Sequence, residues 1–424
     1  MTVPVRHASL GAWLEWQESL HPRAIELGLE RVRRVLARTG WRGPRGFVVT
    51  VGGTNGKGST VALVDSMLRA AGLRVGTFTS PHLVDYTERI RIDGARVSEA
   101  SLVVAFERIA DALGPDSLTF FEFNTLAALL VFETASPDAL VLEVGMGGRL
   151  DAVNVVDPSV AIVTSVALDH MEWLGPDVES IGREKAGIFR AARPAICGMV
   201  APPRSIEAVA TEVGAALRVR GRDFDGHVHA DGRWDFHDAH GRLDGLPAPA
   251  LEGAVQYDNA ACAIAALRAS GGRPRVGRDA IERGLRSVRV AGRFERRQDA
   301  AGVEWILDVA HNPEAAASLA DNLRRRPVAG RTIAVCGMLG DKDVESVVAT
   351  LAPAIDHWIA AGTEGPRALT DAALEDRARQ VGVEMVPGGP VPAAVDLAGR
   401  LAVPGDRVVV FGSFHTVGPA SLRV

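Results

Sequence analysis

Apolar positions along the first half of the chain follow two rhythms. Ile25, Leu29, Val32 and Leu36 recur at helical spacing, which predicts an amphipathic helix over residues 24–38. GFVVTV (46–51) is a short unbroken apolar run and predicts a buried strand. After a glycine-rich break, STVALVDSMLRAAG (59–72) returns to helical spacing, with Val61, Val64 and Leu68 on one face and Gly72 as a stop signal. RVGTFTS (74–80) predicts another strand, so the segment is a βαβ unit with a right-handed crossover. ALVLEVG (139–145) and VAIVTSV (160–166) are equally apolar. Runs of this kind suit a parallel sheet covered on both faces.

The pattern changes over 217–245. LRVRGRDF, HVHADGRWDFHDAHG and LDG alternate apolar and polar positions between turn residues, which predicts short hairpins. VQYDNAACAIAALRAS (255–270) predicts a helix of small residues. Beyond VRVAGRFERR (288–297) strand-like runs begin again with EWILDVA, TIAVCGM, HWIAAG and RVVVFGS. The expected fold is α/β in two domains. Residues 1–290 form a P-loop NTPase-like, mostly parallel sheet domain with a small β-hairpin insertion. Residues 291–424 form a Rossmann-like α/β domain.

Composition narrows the function classes. The formal net charge of -5 argues against a nucleic-acid binder, though a local site can still be basic. Cys197, Cys262 and Cys336 are too few and too scattered for a disulfide framework or a cysteine metal site, which fits a cytoplasmic protein. No window approaches the roughly 20 apolar residues of a membrane span, and the first residues lack the apolar core of a signal peptide. A monomer without membrane or nucleic-acid partners is expected.

The break after the first strand carries the chemistry. In GTNGKGST (53–60) glycines let the backbone curl so that several N–H groups face one anion, and the following helix N-terminus adds positive potential. Lys57 would reach the outer phosphates. The strict phosphate-loop pattern is not met, because Val51 stands where its first glycine belongs and Gly58 separates Lys57 from Ser59. A plain glycine turn is the competing reading. Glu143 ends a buried strand, where a carboxylate can offer oxygen to Mg²⁺, or simply cap a helix or pair with a cation. Asp169 and His170 follow another strand, at the sheet edge where ligands of open α/β sheets bind. Spacing makes Lys185 in REKAGIF an ordinary exposed or ion-paired lysine. His227, His229, His237 and His240 suggest a metal, but no cysteine or carboxylate framework closes the set, and a solvated insertion fits better.

Taken together, HPRAIELGLERV, GTNGKGST, TSPHL, ERIRIDG, LTFFEFNTL, LEVGMGGRLDAVN, TSVALDHMEWLG, REKAGIF, AGRFE, DVAHNP, GMLGDKD and GSFHTV resemble, in order and over nearly the whole length, the bacterial dihydrofolate synthase/folylpolyglutamate synthase enzymes of the muramyl-ligase superfamily. The resemblance accounts for the shortened glycine loop. It implies metal ligands at Ser80, Glu143, His170 and Lys185, with Lys185 carbamylated and two Mg²⁺ sites. It implies ATP contacts at Gly53, Thr54, Asn55, Gly56, Lys57, Gly58, Ser59, Asn259, Arg293 and Asp308, with ATP between the domains and closure completing the site. Thr119, Phe121, Leu150, Asp151 and Ala152 would meet the pterin. Arg89, Ser413 and His415 are candidate anchors for the incoming glutamate. His311 is the candidate base, oriented by Asp308.

The activity this implies is ATP-dependent ligation of L-glutamate to dihydropteroate and to reduced folates through an acyl phosphate. A muramyl ligase acting on a cell-wall precursor is the nearest alternative. The stretch before residue 53 is too short for the nucleotide-sugar domain such enzymes carry. A P-loop module without ligase activity is the other alternative, and the renewed α/β pattern after residue 290 speaks against it.

Overall fold

A computed structural model describes residues 3–272, 274–365 and 367–424. The chain divides into two compact units. The first takes in residues up to His82, Tyr86–Ala250 and Tyr257–Val288; the second takes in Leu83–Asp85, Leu251–Gln256 and Arg289–Val424.

The first unit is built on eight strands: β1 (Phe47–Gly52), β2 (Val75–Phe78), β3 (Ile90–Ile92), β4 (Ala95–Arg96), β5 (Ala139–Glu143), β6 (Val160–Val163), β7 (Pro194–Cys197) and β8 (Ala216–Val219). They lie in the order β4-β3-β2-β5-β1-β6-β7-β8. The pairs from β2 to β8 are parallel, and β3 and β4 add an antiparallel edge. β1 sits between β5 and β6, with Val51 opposite both Glu143 and Ile162. The segments that follow these three strands therefore leave from one edge of the sheet. Val48, Val49 and Val51 are buried because helices cover both faces, which explains the continuous apolar runs.

Helix Lys57–Ala70 follows β1 and is buried from Ser59 to Leu68 at every position but Ala62. It needs more than one apolar face, because helix Arg278–Ser287 crosses its outer side. A Cβ on Gly284 would lie 2.8 Å from both N and Cα of Met67, so only glycine permits this approach. Helix Phe120–Ala135 starts with a capping box in which Thr119 Oγ1 accepts from the Glu122 N–H and the Glu122 carboxylate accepts from the Thr119 N–H. Its apolar side joins Trp13, Trp16, Phe106 and Phe123 in one core. Each such buried side chain contributes about 2 kcal/mol.

Two expectations need correction. The first is the helix at 24–38, which begins at Glu30. Residues 24–29 are not helical, and the Arg31 guanidinium folds back onto the Glu26 carboxylate and carbonyl. Gly28 within this stretch is a poor helix former. The second is the start of the hairpin region, since residues 216–219 form β8 at the edge of the large sheet. The remaining three strands, β9 (Phe224–Val228), β10 (Trp234–Asp238) and β11 (Gly241–Leu246), form the antiparallel insertion. Its inner side buries Phe224, Trp234, Phe236 and Leu246, while His227, His229, His237 and His240 are exposed.

The second unit carries β12 (Glu295–Gln298), β13 (Glu304–Asp308), β14 (Thr332–Cys336), β15 (His357–Gly362), β16 (Val386–Pro390) and β17 (Arg407–Phe411) in the order β12-β13-β17-β14-β15-β16. Only β12 is antiparallel to its neighbour among these pairs. Alternate residues feed two cores. Ile306, Ala334, Val409 and Phe411 pack with Leu319, Val347 and Leu374 on one face. Leu307, Val335, Val408 and Val410 pack with Val391, Val395 and Val417 on the other. Every strand that the apolar runs predicted in this unit forms.

Candidate active site

The loop between β1 and helix Lys57–Ala70 is a cradle whose shape depends on glycine. Gly53 has φ 146° and Gly56 φ 83°. A Cβ on Gly53 would fall 1.9 Å from Thr164 Oγ1, and one on Gly56 would fall 2.6 Å from Asn259 Oδ1. The segment after β6 braces the loop from outside. The Thr54 N–H donates to the Ser165 carbonyl (2.9 Å), the Asn55 N–H to Ser165 Oγ (3.0 Å), and Thr164 Oγ1 to the Asn55 carbonyl (2.6 Å). Thr54 Oγ1 also accepts from the Ala167 N–H at 3.0 Å. These contacts are what separates a built anion cradle from a plain turn. Thr164 and Ser165 are supporting residues that periodicity alone did not single out; two hydroxyls directly after an apolar strand were the available signal.

Lys57 Nζ donates to the Gly53 and Thr54 carbonyls at 3.0 Å each, so the ammonium stays over the loop it would serve. Glu143 is buried at the end of β5, and its Oε2 accepts from the Ser80 N–H at 3.2 Å. A Cβ on Gly58 would be 3.7 Å from the same Oε2, so the glycine after Lys57 lets this carboxylate approach the start of the helix. Ser80 and Glu143 are thus neighbours at the mouth of the cradle. His170 follows the bracing segment with φ 52°, and its N–H donates to Asp169 Oδ1 at 3.0 Å.

Lys185 contradicts its reading as an ordinary surface lysine. It lies in helix Val178–Ala186 and is only 4 % exposed. Burial first, and the charge of Lys57 next, push its ammonium down to about 7, while Asp169 and Asp151 pull the other way. The helix end is brought in by Gly148, where a Cβ would meet the Glu184 and Lys185 carbonyls at 2.8 Å each. Asp151 is buried, and burial pushes its carboxyl up to about 7 against hydrogen bonds from the Met146 and Val153 N–H groups and the charge of Lys57. Lys57, Asp151, Asp169 and Lys185 therefore form one electrostatic group. Helix periodicity carried no sign of it.

On the β5 side, the Phe121 ring covers Gly145, whose Cβ would lie 2.5 Å from Cζ. Leu150, Asp151 and Ala152 follow in the same loop, with Asp151 capping the short turn Ala152–Val155. Thr119 is buried, and its hydroxyl serves the capping box. Arg31 holds the Glu122 carboxylate through Nε (3.0 Å) and Nη2 (2.8 Å), which fixes the start of the helix bearing Phe121.

In the second unit Asp308 ends β13. Its two oxygens accept from the Phe294 and Ala310 N–H groups at 2.8 Å each, and burial raises its pKa against the pull of Arg293. His311 Nδ1 lies 2.8 Å from the Val309 carbonyl, which sets Nδ1 as the protonated nitrogen. Arg293 lies 5.7 Å from the centre of the Phe414 ring. Ser413 Oγ contacts Thr416 Oγ1 (2.7 Å) and the Gly337 carbonyl (3.2 Å), and His415 is exposed.

Among the described residues no group of three or more His, Cys, Asp or Glu side chains is arranged to hold a metal ion, the histidines of the insertion included. The cradle mouth instead carries a carboxylate (Glu143) with the backbone N–H of Ser80 against it, and the expected imidazole donor His170 follows the bracing segment. Such donors fit a hard or borderline divalent ion that keeps part of its shell for phosphate and water.

A glycine cradle at the edge of a parallel sheet, a buried carboxylate beside it and a second α/β unit define an ATP-dependent ligase of the Mur type. Comparison with known families agrees. The Mur ligase middle domain matches residues 51–211, and the Mur ligase glutamate ligase domain matches residues 292–414. The dihydrofolate synthase/folylpolyglutamate synthase of Escherichia coli (strain K12) is 48% identical over 98% of this chain and 95% of its own length. That of Haemophilus influenzae is 37% identical over 96% of each. The chain belongs to the dihydrofolate synthase/folylpolyglutamate synthase family. Among solved structures, E. coli FolC in complex with DHPP and ADP superposes with a TM-score of 0.93 at 46% identity, covering 99% of this chain and 98% of that one. A bifunctional folylpolyglutamate synthase/dihydrofolate synthase with Mn, AMPPNP and L-glutamate bound gives 0.92 at 42% identity, with both chains fully covered.

Proposed function

We infer that this chain is an ATP-dependent acid–amino-acid ligase that adds L-glutamate to dihydropteroate and to reduced folates already carrying glutamate. A carboxylate is a poor electrophile, so direct amide formation in water is slow and uphill. The acceptor carboxylate attacks the γ-phosphate of ATP and forms an acyl phosphate. The glutamate amine then displaces phosphate, leaving an amide and ADP. The observation that carries this reading is the shared sheet edge at which the braced cradle, Glu143 and the buried Lys185 electrostatic group come together.

The residues divide the task. The N–H groups of residues 53–59 and Lys57 hold the phosphates and offset charge that moves during transfer. Asn259 in the first unit and Arg293 and Asp308 in the second are the proposed further nucleotide contacts. Ser80, Glu143, His170 and Lys185 are the proposed holders of Mg²⁺ at two sites. Bound there, Mg²⁺ would neutralise phosphate charge and align the reacting groups. A lysine held near pH 7 has a substantial neutral fraction, and a neutral amine captures CO₂; this supports carbamylation of Lys185. Phe121, covering Gly145, offers a flat face to the pterin, with Thr119, Leu150, Asp151 and Ala152 framing it. Ser413 and His415 are assigned to the incoming glutamate. His311, with Nδ1 protonated, presents Nε2 as the base for the amine.

The three cysteines are buried and free, which supports a cytoplasmic setting, and no helix among the described residues is long and apolar enough to cross a membrane. We assign a monomer. Radiolabelled glutamate incorporation, run separately with dihydropteroate and with tetrahydrofolate, tests the function. Label in both products is expected. Label in neither would overturn the assignment, and label in one would remove the other activity.

A further inference from the structure

Arg89 ends the turn Tyr86–Arg89 and is 8 % exposed. Its Nε donates to His82 Nδ1 at 2.8 Å. Its guanidinium carbon stands 5.8 Å from the centre of the Tyr86 ring and 5.6 Å from that of Phe120. The two rings meet edge to face, 6.4 Å apart at 77°, so they form a corner that holds the guanidinium. Tyr86 is itself fixed by a hydrogen bond to the Asn124 side chain. Among the described residues no carboxylate pairs with Arg89, and neither terminal nitrogen meets a protein acceptor. A buried guanidinium held this firmly, with no carboxylate among the described residues bonded to its terminal nitrogens, is a receptor for one.

Its position selects the anion. The Arg89 carbonyl accepts from the Thr79 N–H at 2.9 Å, which ties it to the strand end carrying Ser80. Glu143 lies close enough to favour the guanidinium charge. Phe120 begins the helix whose next residue, Phe121, covers Gly145. Arg89 thus stands between the aromatic wall and the Ser80–Glu143 mouth of the cradle. A flat acid lying along that wall would bring its carboxylate to the terminal nitrogens. That carboxylate is the group the γ-phosphate must reach.

We propose that Arg89 binds the carboxylate of the arylcarboxylic acceptor through its two terminal nitrogens, and not the incoming glutamate. This rests on the ligase reading above and makes His82, Tyr86 and Phe120 positioning residues for the guanidinium. Planar two-point recognition of this kind requires arginine, so Lys cannot replace it fully.

The test compares wild type, Arg89→Met and Arg89→Lys in steady-state ligation with dihydropteroate. It also compares binding of dihydropteroate with binding of its carboxamide analogue to the nucleotide-free protein. Loss of a charge-assisted pair should raise KM for dihydropteroate about 10- to 100-fold in Arg89→Met, with a smaller rise in Arg89→Lys and an unchanged KM for glutamate. The carboxamide should bind wild type and Arg89→Met alike, and wild type should favour the acid over the carboxamide. An increase confined to the glutamate KM, an equal loss of both ligands, or a wild type indifferent to the carboxylate overturns the proposal. The last comparison needs no variant to fold. Absence of any ligation by wild type would instead defeat the ligase reading itself.

Discussion

Asn259 Oδ1 lies 2.6 Å from where a Cβ on Gly56 would stand, and Thr60 Oγ1 reaches the same oxygen at 3.4 Å. A residue some two hundred positions along the chain therefore shapes the phosphate loop. Gly56→Ala should push the loop away from Asn259 and also place a side chain at φ 83°. Strain of this kind costs about 1–3 kcal/mol. We expect nucleotide affinity to fall by more than tenfold, measured by titration with ADP. Unchanged affinity would mean the loop is not held against Asn259.

Lys57→Ala should abolish ligation while the fold persists, because its ammonium donates to the Gly53 and Thr54 carbonyls, which lie in the loop and not in a core element. Glutamate-dependent ADP release is the readout, with circular dichroism as the control. Full activity would remove Lys57 from the mechanism.

Lys185 gives a sharper pair of outcomes. Its lowered pKa increases the neutral amine as pH rises through about 7, so carbamate formation should grow over that range. A carbamate signal in ¹³C NMR under labelled CO₂ is expected in wild type and absent in Lys185→Ala. The variant should be weakly active and partly restored by short carboxylates. Full activity without them contradicts the carbamate role.

Gly284 is packed against the backbone of Met67 in the cradle's own helix. Gly284→Ala should cost about 1–3 kcal/mol through overpacking, read as a lower denaturation midpoint. A neutral effect would show that the two helices can separate without loss.

Acid stability tests a network remote from the cradle. Hydrogen bonds from Arg34 and then Arg38 hold the Asp116 carboxyl down to about 2, below its ordinary 3.8. The unfolded chain therefore binds the proton first, and the stabilisation present above pH 3.8 is lost as pH falls through about 2. Asp116→Asn should flatten that part of the stability curve in chemical denaturation. A curve identical to wild type would assign the acid limb to other carboxylates.

The strands that bear the site were legible because burial on both faces leaves continuous apolar runs, as at Val48–Val51 and Leu140–Leu142. The cradle was legible through its glycines, and the approach to Thr164 and Asn259 now gives their physical reason. Lys185 was not legible from spacing, because its environment comes from residues 57, 151 and 169, which only the fold assembles. The helix expected over 24–38 fell short for a similar reason. Its apolar spacing was genuine, but Arg31 draws residue 26 into a network with Glu122, and local periodicity has no view of that partner.

The central claim is that the acceptor's own carboxylate takes the γ-phosphate. It is tested most directly with dihydropteroate labelled by ¹⁸O in both carboxylate oxygens, followed by mass analysis of the phosphate released on ligation. Transfer through an acyl phosphate places one labelled oxygen in each phosphate formed. Unlabelled phosphate, with one label in the amide and the other lost to water, would contradict the account.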